Sequence, residues 1–127
     1  MISYQHISIA TAFLCLGLFF TLLLFPDLIY WLFQVEESES SSFMLRRAAM
    51  LFLGLAVITW LSRLEGQSTA RQAICLGLSV TMLALGLLGG AEYLRGAAGP
   101  GIGVAVVGEI LIATIYFRIW SRDKALD

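Results

Sequence analysis

The chain has 127 residues, 59% of them hydrophobic and 13% charged, with a net charge of −1 at neutral pH. Soluble domains carry about a quarter charged residues, so this composition places the chain in the membrane class and leaves no room for a soluble catalytic domain. Its eight basic residues are scattered, and no basic stripe exists to grip nucleic acid.

Four apolar runs, at about 7–25, 43–61, 72–91 and 102–120, fill most of the chain. Each approaches the ~20 residues that a helix needs to cross a ~30 Å hydrocarbon layer. The short connections between them predict an all-α, single-domain architecture: an antiparallel bundle of four transmembrane helices. Met1–His6 places no Lys or Arg ahead of the first run, which also exceeds the ~7–15 apolar residues of a secretory signal. It therefore reads as a retained span. Cys15 and Cys75 fall inside spans, where a thiol behaves as a small hydrophobe.

The first run stops at Pro26, which cannot continue a helical ladder but can open a new helix. The following Asp27–Phe33 segment is apolar but too short to cross, so an interfacial helix is expected there. The acidic, serine-rich run Glu36–Ser42 reads as a solvated connector whose last serine, Ser42, caps the second span. Thr69 and Gln72 have the spacing of a capping box and are expected to open the third span. Small residues stand four apart at Ala73/Gly77, Gly86/Gly90 and Gly101/Ala105, a spacing that lets helix backbones approach in lipid. Gly96–Gly101 is a flexible turn; no lysine follows at phosphate-loop spacing.

Basic residues flanking the spans set orientation. One side carries Arg63, Arg71, Arg118, Arg122 and Lys124, the other Arg46, Arg47 and Arg95, which predicts cytoplasmic termini. Tyr4, Trp60, Tyr116 and Trp120 would form an aromatic belt on the inner side, and Tyr30, Trp31 and Tyr93 one on the outer side.

The most informative polar residue is Glu109, inside the fourth run and about 10 Å from its start at 1.5 Å per residue. An intramembrane carboxylate is costly and marks a functional-site candidate. Arg46 and Arg47 begin the second span, and Glu92 and Arg95 end the third, on the same side. The expectation is that these five groups converge in the outer half, with Glu109 paired to Arg46 or Arg47, and that no comparable set exists in the inner half. Two readings stand side by side: a structural ion pair that fixes helix register, or the polar floor of a pocket lidded by the Pro26–Phe33 segment through Tyr30 and Trp31. Its ligand would be amphipathic, such as a lipid, a quinone or a small anion.

With His6 the only histidine, neither a bis-histidine haem nor a two- or three-ligand metal set is expected. No catalytic triad or hydrolase motif is present, so no catalytic residue and no cofactor is assigned.

The layout resembles that of the DoxX-like small bacterial four-helix membrane proteins. The matching features are Phe25–Pro26–Asp27–Leu28, then Leu45–Arg46–Arg47–Ala48–Ala49 leading into Phe52–Leu53–Gly54–Leu55, and the glutamate in Val107–Gly108–Glu109–Ile110–Leu111. The resemblance implies a multi-pass protein of the inner (plasma) membrane, and at most an accessory or quinone-proximal role. Three functions follow as expectations. The first is a non-enzymatic membrane protein that binds an amphipathic small molecule, a partner subunit or further copies of itself. The second is a membrane subunit of a quinone-linked redox complex. The third is an oligomeric proton-coupled transporter with Glu109 as carrier.

Overall fold

The computed structural model of the protein describes residues 2–126. It contains α1 (Tyr4–Leu24), α2 (Pro26–Phe33), α3 (Glu39–Ser62), α4 (Thr69–Leu94) and α5 (Ile102–Lys124). Four of these are long and apolar enough to span a bilayer, and α2 is the short helix expected after the first span. The protein is a multi-pass membrane bundle. Between 17% and 33% of each span's most apolar stretch is buried inside it; the remaining surface is the part that meets lipid.

The starts of α1, α3 and α4 are set by serine side chains. Ser3 accepts from the His6 amide at α1, Ser38 from Ser41 at α3, and Ser68 from Arg71 at α4. Two of these differ from the sequence expectation. Ser38, not Ser42, caps α3, because Ser38 and Ser41 satisfy each other's backbone amides reciprocally and Glu39 then sits in the first turn, where the helix dipole favours an acid. The serine run is thus the first turn of the span. At α4 the cap is Ser68, one residue before Thr69, and Gln72 donates its own amide to the Ser68 carbonyl.

The helices pack as two antiparallel pairs, α1 with α3 and α4 with α5, joined along a narrower α1–α5 seam. Closeness within the second pair comes from Gly86 and Gly89. A Cβ on Gly86 would stand 2.8 Å from Ile110 Cδ1, and one on Gly89 2.8 Å from Val106 Cγ2. Gly90 and Gly77 face open space instead, so the working pair on α4 is three apart, not four. Ser79 adds an interhelical hydrogen bond, donating to the Ala113 carbonyl at 2.9 Å. Thr21, Thr59 and Thr114 spend their hydroxyls on carbonyls of their own helices, which hides them from lipid.

One end of the bundle carries both termini and the α3–α4 loop; the other carries α2 and the α4–α5 turn. At the α2 end, the Gly99 amide donates to the Phe33 carbonyl at 2.7 Å. Gly101 lies against the Leu32 carbonyl and Gly99 against the Gln34 side chain, so closely that neither position has room for a Cβ. Gln34 itself adopts a left-handed conformation, φ 52°, as it ends α2. The tip of α2 is therefore clamped onto the turn that opens α5, which ties the two helix pairs together.

Candidate functional site

Tyr30 fixes the underside of α2. Its hydroxyl lies 2.9 Å from Ser41 Oγ and 3.0 Å from Ser42 Oγ at the start of α3, and the ring is buried. Trp31 points the other way and is 74% exposed, an aromatic placed to meet the bilayer interface. Of the two residues expected to form a lid, Tyr30 anchors α2 to α3 while Trp31 is exposed.

Glu109 is half-buried. A Cβ on Gly86 would lie 3.6 Å from Glu109 Cβ, an ordinary contact distance, so the stem of Glu109 lies beside α4. Among the described residues, no cation stands within 4 Å of its carboxylate. The expected pair with Arg46 or Arg47 does not form. Both arginines are exposed; Arg47 lies 5.8 Å from the Phe43 ring centroid. Arg46 borders an open hollow of about 480 Å³ with Glu37, Ser38, Glu39, Ser42 and Phe43. Two physical reasons account for this. Guanidinium groups at a span's end run toward the wet interface rather than down into lipid, and α3 packs on α1 instead of α5. Glu92 and Arg95 pair with each other, Oε1 to Nη1 at 2.9 Å, one turn apart at the surface. The five groups share an end of the bundle but do not converge.

The concentrated polar centre lies at the opposite end, where none was expected. Asp123, whose side chain is fully buried, receives Arg71 on both oxygens: Nε is 2.9 Å from Oδ2 and Nη2 donates to Oδ1 at 3.2 Å. Gln67 Nε2 adds a 3.4 Å contact to Oδ1, and Arg122 Nε stands 4.0 Å from it. The Arg71 guanidinium also lies 4.7 Å from the Tyr4 ring centroid, and Tyr4 donates to Ser62 Oγ at 3.0 Å. One ion pair thus links α4 to α5 and reaches α1 and α3 through a single tyrosine. Two turns deeper, Tyr116 donates to Thr11 Oγ1 at 3.2 Å across the α1–α5 seam. Tyr4 and Tyr116 are therefore core residues rather than members of an aromatic belt; Trp60 keeps an outward position.

Sequence reasoning missed Arg71, Asp123, Gln67 and the inward role of Tyr4. A signal was present. Asp123 is an acid in the last turn of a helix, where the dipole disfavours it, between Arg122 and Lys124. It also falls in register with Glu109 and Tyr116, each seven apart on α5, which places all three on one helix face. Between Glu109 and Tyr116 the buried residues of α5 are Ile112 and Ala113, with the Ser79 hydroxyl of α4 on the Ala113 carbonyl at that depth.

No family model, no characterised protein and no solved structure matches this chain.

Proposed function

We propose that the protein is a small non-enzymatic integral membrane protein that binds an amphipathic molecule of the bilayer, a lipid or a quinone, in its α2-side half at Glu109. The observation that carries this reading is the carboxylate itself: it lies inside a span, half-buried, and among the described residues no cation stands within 4 Å of it. A polar group in hydrocarbon without a partner costs several kcal/mol, on the order of what its hydrogen bonds would return. An entering molecule with a hydroxyl, amine or carbonyl headgroup supplies that partner. Arg46 and Arg47, exposed at the same end, are placed to meet a charged headgroup.

The DoxX-like layout fits a second use of the same site, in which the ligand is a quinone and the chain serves a redox complex whose cofactors sit on another subunit.

Native mass spectrometry of gently solubilised protein tests the proposal. Wild type is expected to carry a bound lipid or quinone that Glu109→Gln loses while keeping its helical content; Arg47→Ala weakens the retention. Equal occupancy in wild type and Glu109→Gln would overturn it. A flavin- or haem-containing chain that co-purifies with the quinone-loaded protein would move it to the redox-complex form.

A further inference from the structure

We propose that the cleft between α1 and α3, near the end that carries the termini, is a binding site for an anionic phospholipid, with one acyl chain in the cleft and the phosphate on Arg63. This site is separate from Glu109.

The cleft exists because small residues line its base. Ala12 of α1 and Ala56 of α3 are both buried, and between the larger side chains that flank them lies a cavity of about 440 Å³. Its walls include Phe13 and Trp60, whose rings meet edge to face with centroids 5.9 Å apart, and leucines and Val57 line the rest. The cavity is open to the bilayer side, since Phe13 is 63% exposed and Val57 49% exposed. In hydrocarbon such a trough fills with an apolar chain, which recovers the dispersion contacts that an empty cleft would forfeit.

What selects the headgroup is the cation on top of the same wall. Arg63 ends α3, and its guanidinium lies 4.1 Å from the centroid of the Trp60 indole while donating from Nη1 to the Trp60 carbonyl. Stacking and hydrogen bond together fix the group in one orientation at the rim. Among the described residues no carboxylate stands within 4 Å of it. Arg71 is committed to Asp123 and Arg95 to Glu92, so Arg63 differs in keeping its charge available next to an apolar trough. The surroundings favour an anion too: five of the eight Lys and Arg residues lie at this end. A phosphodiester meets an arginine through parallel N–H donors, and its chain then follows the indole face down into the cleft.

Lys124 provides an internal control. It lies 5.0 Å from the Trp120 ring centroid, the same cation-on-tryptophan arrangement at the same end, yet neither residue borders the cleft. The test is native mass spectrometry of the full chain released from vesicles of mixed phosphatidylglycerol and phosphatidylcholine. Wild type is expected to retain one phosphatidylglycerol with about fivefold preference over its share in the vesicle, the effect of one basic residue near a lipid phosphate. Arg63→Gln should bring that preference back to the vesicle ratio while a lipid adduct persists. Val57→Trp, a change at a half-exposed position that fills the trough, should remove the adduct with either headgroup. Lys124→Gln should leave it intact, and a further adduct that Glu109→Gln removes while the phosphatidylglycerol preference persists belongs to the separate site at Glu109. The proposal is overturned if Arg63→Gln keeps the preference, if Val57→Trp keeps the adduct, or if wild type carries no lipid and a second copy of the chain instead.

Discussion

The two ends of the bundle hold similar numbers of charged residues and use them in opposite ways. At the end with the termini, Asp123 is buried, bound on both oxygens by Arg71 and backed by Gln67. At the α2 end, Glu109 is half-buried and among the described residues no cation stands within 4 Å of it, while Arg46 and Arg47 stay at the surface. The difference follows from where the partner is attached. Arg71 begins α4, directly after the short α3–α4 loop, and its backbone is pinned by the Ser68 cap; its side chain has only to cross to the neighbouring α5. Arg46 sits on α3, which packs on α1 and not on α5, so a pair with Glu109 would need a long side chain to dip into lipid across a helix pair it does not touch. The charge at the span's edge is neutralised because the first turn of the neighbouring helix supplies its partner, and among the described residues the charge within the span has no such neighbour.

The largest effect should come from breaking the buried pair. Asp123→Ala leaves Arg71 buried without its counter-charge, a change that costs about 3–5 kcal/mol. Equilibrium unfolding in mixed detergent should show that loss, and replacing both partners with apolar residues, Arg71→Met with Asp123→Leu, should recover most of it. A double mutant as unstable as the single one would mean that the charge itself, not the unpaired partner, holds the end together.

A smaller effect is expected at the α2 end. Gly101→Ala drives a methyl group into the Leu32 carbonyl, and overpacking of this kind costs about 1–3 kcal/mol. Because that carbonyl belongs to α2, the strain should appear locally, as faster hydrogen exchange or proteolysis at 26–34 with the four spans intact. Global unfolding without local release would place the clamp's importance elsewhere. Smaller still, Tyr30→Phe removes the hydroxyl shared with Ser41 and Ser42 and should lower stability by about 1 kcal/mol, read by the same exchange experiment. An unchanged exchange rate at α2 would show that packing alone seats the helix.

Much of the fold was legible because the governing signals are local. Four uninterrupted apolar runs require four spans, and Pro26 followed by a short amphipathic segment requires a separate helix. The helix caps were harder, since four serines between 38 and 42 compete for the start of α3 and only reciprocal bonding, as between Ser38 and Ser41, decides among them. The polar centre was misplaced for a different reason. Arg71 and Asp123 are 52 residues apart, and only the pairing of α4 with α5 brings them together. Depth within a span made Glu109 conspicuous, whereas Asp123 hid among the basic residues of a helix end. Tyr4 and Tyr116 likewise stand where belt aromatics stand in sequence, and only the location of Thr11 and Ser62 shows their hydroxyls turned inward.

The central claim is that one end of this bundle is locked by its own charges and the other is left open for a ligand. Parallel thermal melts of Asp123→Asn and Glu109→Gln, in a detergent stripped of native lipid, test it most directly. Asp123→Asn should melt well below wild type, and Glu109→Gln should melt with wild type, because no intrachain ion pair is lost there. A Glu109→Gln protein that falls as far as Asp123→Asn would contradict the account and make Glu109 a structural residue of the bundle.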